Sequence, residues 1–437
     1  MEDRLGCDAR ELFCRIYQDH LDLRAARERP IEQAVIGSDG VRRGCMERGR
    51  QRSLATVFGE VHVTRIVYRA KAHSGLCPAD GALNLPIEKH SHGLRRFCAV
   101  EAARGSYEDA QTAVHRATGE LLGKRQVEQL AQAAAVDFES FYQQRTTPAA
   151  APEDVLVLSC DGKGVVMRHD ALRPATAKAA TAAAPKLTTR LSKGEKPNRK
   201  RIAEVGAVYT ITPAPRTSAE VLAPTNDKTL APPKTTGKWL TASVTENAAT
   251  VVAGLFDEAE RRDRDHQRAW VALVDGNNHQ IDRINTEANK RNVTVTIIVD
   301  LIHVLEYLWG AAWCFFTEGD PDAERWVHEK ALAILDGKAG IVAAAIRRKA
   351  THRGLDPDQR KKADRAADYL HNKAPHLDYP TALRNGWPIA TGVIEGACRH
   401  LVKDRMDITG ARWGLPGAEA ILKLRAITTN GDLNAYW

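Results

Sequence analysis

The sequence predicts an α/β fold in which a mixed β-sheet is covered by helices. Apolar segments of strand length recur in the second half of the chain and alternate there with segments of helical periodicity. Three strands in succession followed by β-α-β units are the order of a ribonuclease-H-like sheet. Residues 301–413 are nearly all helical in pattern, which predicts a helical insertion at about residues 305–385.

The chain is predicted to have three regions. Residues 1–90 form a smaller α+β region, residues 91–150 a helical, helix-turn-helix-like region, and residues 151–437 the ribonuclease-H-like domain. In the first region, residues 10–29 read as a helix, and Val57, Val61 and Val63 alternate with polar residues around a turn at Gly59, as in a hairpin. Residues 146–152 read as a linker.

Two short helices are predicted in the second region. Ser106 is placed to cap the first and Gly119 to end it, and the second starts near Gly123 with Lys124 and Arg125. A basic helix start after a short turn fits a helix-turn-helix DNA reader. On the pattern alone a plain pair of antiparallel helices is favoured, because such pairs are far commoner.

The strands of the third region are predicted from short apolar runs. A hairpin is expected at Asp161-Gly162, between strands at residues 155–159 and 165–167. The next elements are a strand within residues 201–213, a helix at 250–262, a strand at 270–276, a helix at 280–290 and a strand at 293–300.

Residues 171–201 are predicted to form a mobile basic loop, since this segment contains nine Lys or Arg residues and one acid, Glu195. Arg199, Lys200 and Arg201 are its candidate DNA contacts, although a solvated loop without a partner has the same composition.

Composition places the chain among cytosolic proteins. Its net charge of +8 and pI near 9.0 favour a polyanionic partner such as DNA, although a mildly basic enzyme has the same balance. The eight cysteines include no C-x-x-C pair, which argues against a zinc site and for reduced thiols. Met1 is followed by charged residues rather than by a signal sequence, and charges interrupt the apolar stretch 293–316, so no membrane span is expected.

Three acids are predicted to end buried strands: Asp161, Asp275 and Asp300. Ligand crevices of open α/β sheets lie at such strand ends, but an acid there also caps the helix that follows. Phosphodiester transfer needs an activated oxygen and charge neutralisation, which two Mg²⁺ ions held by carboxylates provide. A third carboxylate is expected from a helix, and Glu395 lies on a helical segment after Gly392.

The order and spacing of several strings resemble the DDE bacterial insertion-sequence transposases, most closely the ISKra group. These strings are FGEVHVTRIVYR, LNLP, GKRQVEQL, DFESFY, SCDGKGVVMR, WVALVDGNNHQID, IIVDLIHVLEYLW, GVIEGACRHLVKDRMDITGARW and AEAILKLRA. The resemblance covers almost the whole chain. Members of this group usually continue past GDLNAYW, so a truncated C-terminus that keeps the fold and the acids is expected.

The resemblance implies that Asp161, Asp275 and Glu395 are the three catalytic, metal-binding acids. Asp300 and His303 match a D-x-x-H motif of auxiliary residues. The order of strands agrees with Asp275 as the second acid, and Asp300 is its competitor, since an error of one strand in the count would exchange them. His303 has an equally good interpretation as a buried helix histidine.

Four basic residues follow the third acid in a helical stretch and are candidate phosphate contacts: Arg399, Lys403, Arg405 and Arg412. A solvated helix face fits them equally well. Trp413 could stack on an unpaired base, although burial is commoner for tryptophan.

The predicted function is an Mg²⁺-dependent transposase, with Mn²⁺ as a substitute ion, that cleaves and joins the ends of its element. Its partners would be terminal inverted repeats and target DNA, and it would form a homo-oligomer on DNA in the bacterial nucleoid. The alternative is a catalytically inactive or truncated DNA-binding protein derived from a transposase. A glycosidase with paired carboxylates is a third interpretation, which would not need the basic loop.

Overall fold

The structure is a computed structural model, and it describes residues 1–147, 150–183, 187, 189–190, 199–223, 234–408 and 410–437. The chain divides into two compact units. Residues 1–139 and 434–437 form the first unit, and residues 140–433 form the second. Across the described ranges, no helix has both the length and the apolar character needed to cross a bilayer.

The first unit combines a long helix, a hairpin and a group of short helices. Its elements are α1 (Glu2–Arg27), β1 (Val35–Ile36), β2 (Arg42–Arg43), β3 (Cys45–Thr56), β4 (Gly59–Arg69), α2 (Pro78–Ala82), α3 (His92–Arg104), α4 (Tyr107–Thr118) and α5 (Lys124–Ala134), with α6 (Phe138–Gln144) following. The predicted opening helix and the hairpin that turns before Gly59 are confirmed. Leu21 of α1 packs against Leu54, Val61 and Val63 of the hairpin.

The predicted limits of α4 and the start of α5 are confirmed. The Ser106 hydroxyl accepts a hydrogen bond from the Asp109 N–H, and the Asp109 carboxylate accepts one from the Ser106 N–H. This reciprocal pair satisfies two backbone donors that a helix start leaves free. Gly119 ends α4 in the left-handed conformation at φ 77°, which glycine adopts at little cost. Gly123 then caps α5.

The second unit is built on one five-stranded sheet. Its first part contains β5 (Val155–Val166), α7 (Pro174–Ala182), β6 (Lys200–Ile211), α8 (Ser218–Val221), β7 (Thr235–Ser243), α9 (Ala248–Arg262), β8 (Trp270–Val274), α10 (Asn278–Arg291) and β9 (Val295–Val299). The strand order is β7-β6-β5-β8-β9. β5, β6 and β7 are antiparallel neighbours, whereas β8 pairs parallel to β5 and β9 pairs parallel to β8. The α/β class and the mixed sheet are therefore confirmed.

The hairpin predicted at Asp161-Gly162 is wrong. β5 runs unbroken through both residues, which pair with Val205 and Glu204 of β6. The chain reverses beyond Val166 instead, and the third antiparallel strand is β7, which the sequence did not reveal. The turn preference of Asp-Gly is local, and it loses here to a ladder of twelve registered residue pairs along β5 and β6. Asp161 therefore lies within its strand and not at its end.

Helices make up the rest of the second unit, as the sequence predicts. They are α11 (Leu301–Ala312), α12 (Pro321–Leu335), α13 (Ala339–His352), α14 (Pro357–Asn372), α15 (Tyr379–Arg384), α16 (Gly392–Ala397), a π-helical turn (Cys398–Lys403), α17 (Asp404–Met406) and α18 (Leu415–Thr429), with α19 (Leu433–Tyr436) last. Within the predicted basic loop, residues 174–182 form α7 and residues 200–201 belong to β6. Residues 184–186, 188 and 191–198 of that loop lie outside the described residues.

The capping pair of α4 gives a first prediction. Ser106→Ala removes the side-chain acceptor and is expected to lower the free energy of unfolding by about 1 kcal/mol in urea denaturation. Ser106→Thr keeps a hydroxyl that can accept from the Asp109 N–H and donate to the Asp109 carboxylate, as Ser106 does, so this control should stay close to wild type. Equal losses in both variants would mean that the cap does not stabilise the helix.

Candidate active site

A cleft of about 450 Å³ lies beside the middle of β5. Seven residues line it: Asp161, Lys163, Glu395, Cys398, Arg399, Lys403 and Asp404. Two of the predicted acids, Asp161 and Glu395, therefore lie in one cleft. The other lining residues come from β5, the π-helical turn and the start of α17, so one strand and one helical segment build the whole site.

The Asp161 carboxylate is held from two sides. Its Oδ1 accepts a hydrogen bond from the Gly162 N–H at 2.6 Å, and its Oδ2 accepts one from the Cys398 thiol at 3.3 Å. Side chains alternate across a sheet. Gly206, the partner of Cys160, lies against Leu255 of α9, so the neighbouring Asp161 faces the other side, where Cys398 lies.

The third predicted acid lies on a helix that is interrupted by a π-helical turn. Glu395 is exposed on α16, and the wider turn of residues 398–403 follows directly. Such a turn leaves carbonyl groups without their α-helical partners and is frequent at functional sites. The Arg425 guanidinium of α18 donates hydrogen bonds to the carbonyls of His400 and Leu401, which fixes this turn. The residues that follow Glu395 thus turn toward Asp161.

Asp275 directly follows β8, as predicted. In the parallel pairing Ser159 of β5 lies opposite Leu273 of β8, and the same register carried two residues further brings Asp161 opposite Asp275. The Asp275 carboxylate accepts a hydrogen bond from the Asn277 N–H at 2.8 Å and is not among the groups that line the cleft. The extended register therefore brings the two acids to neighbouring positions, although Asp275 is not among the residues that line this cleft.

The backbone at Asp275 is held by a contact from helix α14. The Tyr369 hydroxyl of α14 donates a hydrogen bond to the Asp275 carbonyl at 2.9 Å. Gly276 has φ 89°, and a Cβ atom placed on it would lie 2.5 Å from the Tyr369 hydroxyl oxygen. The Tyr307 ring stacks on the Tyr369 ring at 3.9 Å. A side chain at position 276 would therefore push against the Tyr369 hydroxyl, and the left-handed backbone there also favours glycine.

Asp300 is a buried helix cap. It is 0% exposed, and its carboxylate accepts hydrogen bonds from the Ile302 N–H at 3.0 Å and from the Thr391 hydroxyl at 2.7 Å. Asp300 therefore makes the contacts of a helix cap, which is one of the roles that the sequence leaves open. Both of its carboxylate oxygens are already engaged in these contacts.

His303 lies on α11, where its Nδ1 is 2.9 Å from the Glu306 carboxylate. Burial lowers the pKa of His303, but the hydrogen bond with Glu306 and the charges of Asp300, Glu306 and Asp275 together outweigh burial and raise that pKa above its usual range. The ring is half-buried and bonded to a carboxylate, which differs from the backbone-satisfied core histidine that the sequence also allowed.

The basic residues predicted to contact DNA differ in their surroundings. Arg399 and Lys403 are exposed in the cleft, together with the half-buried Lys163 that sequence reasoning missed. Arg399 lies 3.7 Å from the Asp404 carboxylate. Their positive charge offsets the acids of the cleft and suits a phosphate.

Other predicted basic contacts have structural partners. Arg405 is 2% exposed, with its guanidinium 4.7 Å from the centre of the Trp413 ring, so it packs in the interior. Trp413 is also buried, in line with the commoner interpretation. Arg201 donates to the carbonyls of Val244 and Ala171.

The remaining predicted contacts are partly or fully exposed. Lys200 and Arg412 are exposed in the second unit, and Arg199 is half-buried there. Lys124 and Arg125 are exposed at the start of α5 in the first unit, where Lys124 lies 2.8 Å from the Glu108 carboxylate.

The donor set of the cleft fits a hard divalent cation. Among the described residues, no group of three His, Cys, Asp or Glu side chains is already arranged to hold a metal ion. Mg²⁺ does not require such a group, because it is commonly bound through one or two carboxylates plus water and substrate phosphate. Asp161 and Glu395 supply two carboxylates in one cleft, and the cationic residues beside them can hold a phosphate.

Two further residues near Asp161 were not predicted. Cys398 donates to Asp161, and burial followed by the charge of Asp161 raises the pKa of its thiol, which keeps it a protonated donor. Glu204, opposite Gly162 in β6, has a pKa raised by burial against the opposing charges of Arg173 and His279. Cys398 lies three residues after Glu395, a helical spacing that could have indicated its direction. Glu204 carries no such local signal.

Comparison with protein-family models gives no match for this chain, and comparison with curated proteins likewise gives none.

Gly276 gives a prediction for the second acid. Gly276→Ala should lower the free energy of unfolding by about 1–3 kcal/mol, because the new methyl group meets the Tyr369 hydroxyl and the backbone is left-handed. In a Tyr369→Phe background the same substitution should cost less, since the clashing oxygen is absent. Urea denaturation of the wild type and the three variants of this cycle measures the difference, and an equal cost in both backgrounds would contradict the contact.

The environment of His303 gives a prediction for its protonation. An NMR titration of isotope-labelled histidine should place the pKa of His303 above the usual value of about 6.5. Glu306→Gln should lower that pKa, because the variant loses the charged acceptor. The raised pKa means that protonated His303 contributes stability at low pH, which is lost as the pH rises through the folded-state value. A pKa unchanged by Glu306→Gln would contradict the assignment.

Proposed function

We propose that this chain is a DNA transposase of the three-carboxylate type, which cleaves the ends of an insertion sequence and joins them to target DNA. The observation that carries the proposal is the cleft in which Asp161 and Glu395 lie among Lys163, Arg399 and Lys403. Acids beside exposed cations suit a substrate that is a phosphodiester, because the acids can hold metal ions while the cations hold phosphate oxygens.

The topology supports a ribonuclease-H-like catalytic domain. Three antiparallel strands are followed by two strands parallel to the first, and helices α9 and α10 connect them. In this arrangement the first acid belongs to the first strand and the second follows the fourth, which is where Asp161 and Asp275 lie. Helices α11 to α15 form the proposed insertion before the helix of the third acid.

Asp161 and Glu395 are the residues that would hold Mg²⁺, or Mn²⁺ in its place. Asp275 would join them once its side chain turns from the Asn277 N–H toward its neighbour in the sheet. When bound, the ions supply activation of the attacking oxygen and neutralisation of charge on the phosphorus. Cys398 keeps one oxygen of Asp161 in place through its thiol hydrogen bond.

The chain's cations would position the DNA. Lys163, Arg399 and Lys403 are placed to bind phosphate oxygens beside the acids, and Lys200 and Arg412 offer exposed positive charge elsewhere in the second unit. Lys124 and Arg125 would contact DNA from the start of α5, a helix start being a favourable place for phosphate. Arg405 is left out of this set because it is buried.

The partners implied by this function are the terminal inverted repeats of the element and a target DNA. Activity on two ends at once would need a homo-oligomer assembled on DNA, and the place of action would be the bacterial nucleoid. The net charge of +8 supports attraction to such a polyanion.

Asp161→Asn tests the proposal. The variant should lose strand cleavage of DNA that carries the element's ends, by at least about a thousandfold, because a neutral amide binds Mg²⁺ far more weakly than a carboxylate does. Binding of the same DNA, measured by fluorescence anisotropy, should stay close to wild type. Glu395→Gln should behave alike.

The matched control is Asp358→Asn, which neutralises an exposed acid at the start of α14, away from the cleft. It should cleave at the wild-type rate. Cleavage by Asp161→Asn at the rate of the control would refute the site. If the wild-type protein itself shows no Mg²⁺-dependent cleavage, the non-catalytic DNA-binding alternative would be favoured.

A further inference from the structure

Helix α1 presents an apolar stripe to solvent. The stripe consists of Leu5, Ala9, Leu12, Ile16, Asp19 and Leu23, which follow one another in alternating steps of four and three residues. Its four large members are more than half exposed, at 59% for Leu5, 57% for Leu12, 54% for Ile16 and 56% for Leu23. Large apolar side chains at this spacing on a water-exposed helix face are typical of a surface that meets another helix.

The stripe is separate from the face of α1 that the hairpin covers. Leu21, which is 3% exposed, and the partly buried Cys14 and Tyr17 pack against β3 and β4, and Gln18 exchanges hydrogen bonds with the backbone of His62. These residues project from the opposite side of the helix to Leu12 and Ile16, given 3.6 residues per turn. The hairpin therefore holds α1 in place and leaves the stripe free.

We propose that the stripe is the contact between two copies of this chain, which pair through their α1 helices in antiparallel orientation. In that register Leu5 meets the partner's Leu23, and Leu12 meets the partner's Ile16. Every large member of the stripe then has an apolar partner. The contact is the same on both copies, as a twofold dimer requires.

Charge also favours the antiparallel arrangement. Residues 2–14 contain four acids and two arginines, whereas residues 15–27 contain three arginines and two acids. An antiparallel pair therefore brings the acidic half of each helix beside the basic half of its partner. A parallel pair would place like halves together.

The one charged residue of the stripe selects the same orientation. In the antiparallel register Asp19 lies opposite Ala9 of the partner copy. Because alanine is small, water can reach the Asp19 carboxylate there. A parallel pair would instead bring the two Asp19 carboxylates face to face in the seam, which costs free energy through desolvation and repulsion.

Light scattering coupled to gel filtration, without DNA and over a concentration series, tests this dimer. The wild-type mass should rise from 48.0 kDa toward twice that value. The variant Leu12→Lys/Ile16→Lys should remain at 48.0 kDa throughout, because charges in the seam oppose association. Circular dichroism checks that it is folded, and the single variant Leu12→Ser provides a milder change that should weaken association without adding charge.

The matched control is Ile36→Lys/Ile341→Lys, which changes two residues of similar exposure, 62% and 64%, outside α1. It should associate like wild type. A wild-type chain that stays at 48.0 kDa at every concentration, or a Leu12→Lys/Ile16→Lys variant that still doubles its mass, would overturn the proposal.

Cysteine crosslinking tests the orientation in a background that lacks the exposed Cys7 and Cys45 through serine substitutions. Leu5→Cys mixed with Leu23→Cys should form a disulfide-linked heterodimer on mild oxidation. Leu5→Cys alone should stay uncrosslinked. Efficient crosslinking of Leu5→Cys to itself would contradict the antiparallel register. None of these readouts depends on DNA cleavage, so they test the dimer separately from the proposed function.

Discussion

The parallel pairing of β5 with β8 is the constraint on which the rest of the site depends. Its register, with Ser159 opposite Leu273, sets Asp161 beside Asp275 although 113 residues of chain separate them. Both strands are buried and apolar up to that point, so hydrophobic burial fixes their alignment, and a slip of one residue would turn every side chain to the other face. The position of the acids is thus set by the core of the sheet.

A π-helical turn fits the helical segment of the site to the sheet. The π-helical turn after Glu395 brings Cys398 to within hydrogen-bonding distance of Asp161, and Arg425 stabilises the turn by donating to the carbonyls of His400 and Leu401. The cleft contains as many cationic side chains as Asp and Glu side chains, which lessens the repulsion between the acids. A substrate that brings its own negative charge would find both signs already in place.

Features that depend on residues close together in the chain could be predicted from the sequence. The caps of α4, the acid after β8 and the helix of Glu395 follow from residues close together in the chain. The hairpin expected at Asp161-Gly162 failed because pairing with β6, which begins 38 residues beyond Gly162, overrides the local turn preference. Arg405 was predicted to contact DNA but is buried, and Cys398 was not predicted at all. The roles of both residues depend on contacts with parts of the chain that are distant in sequence.

The location of Mn²⁺ in a crystal of the protein, found from its anomalous scattering, tests the central claim most directly. We expect density between the carboxylates of Asp161 and Glu395, with the Asp275 side chain turned away from the Asn277 N–H to join them. Metal held by Asp161 together with Asp300, which would have to release Thr391 and the helix start, would contradict the choice of second acid. Mn²⁺ bound only away from Asp161 would contradict the site itself.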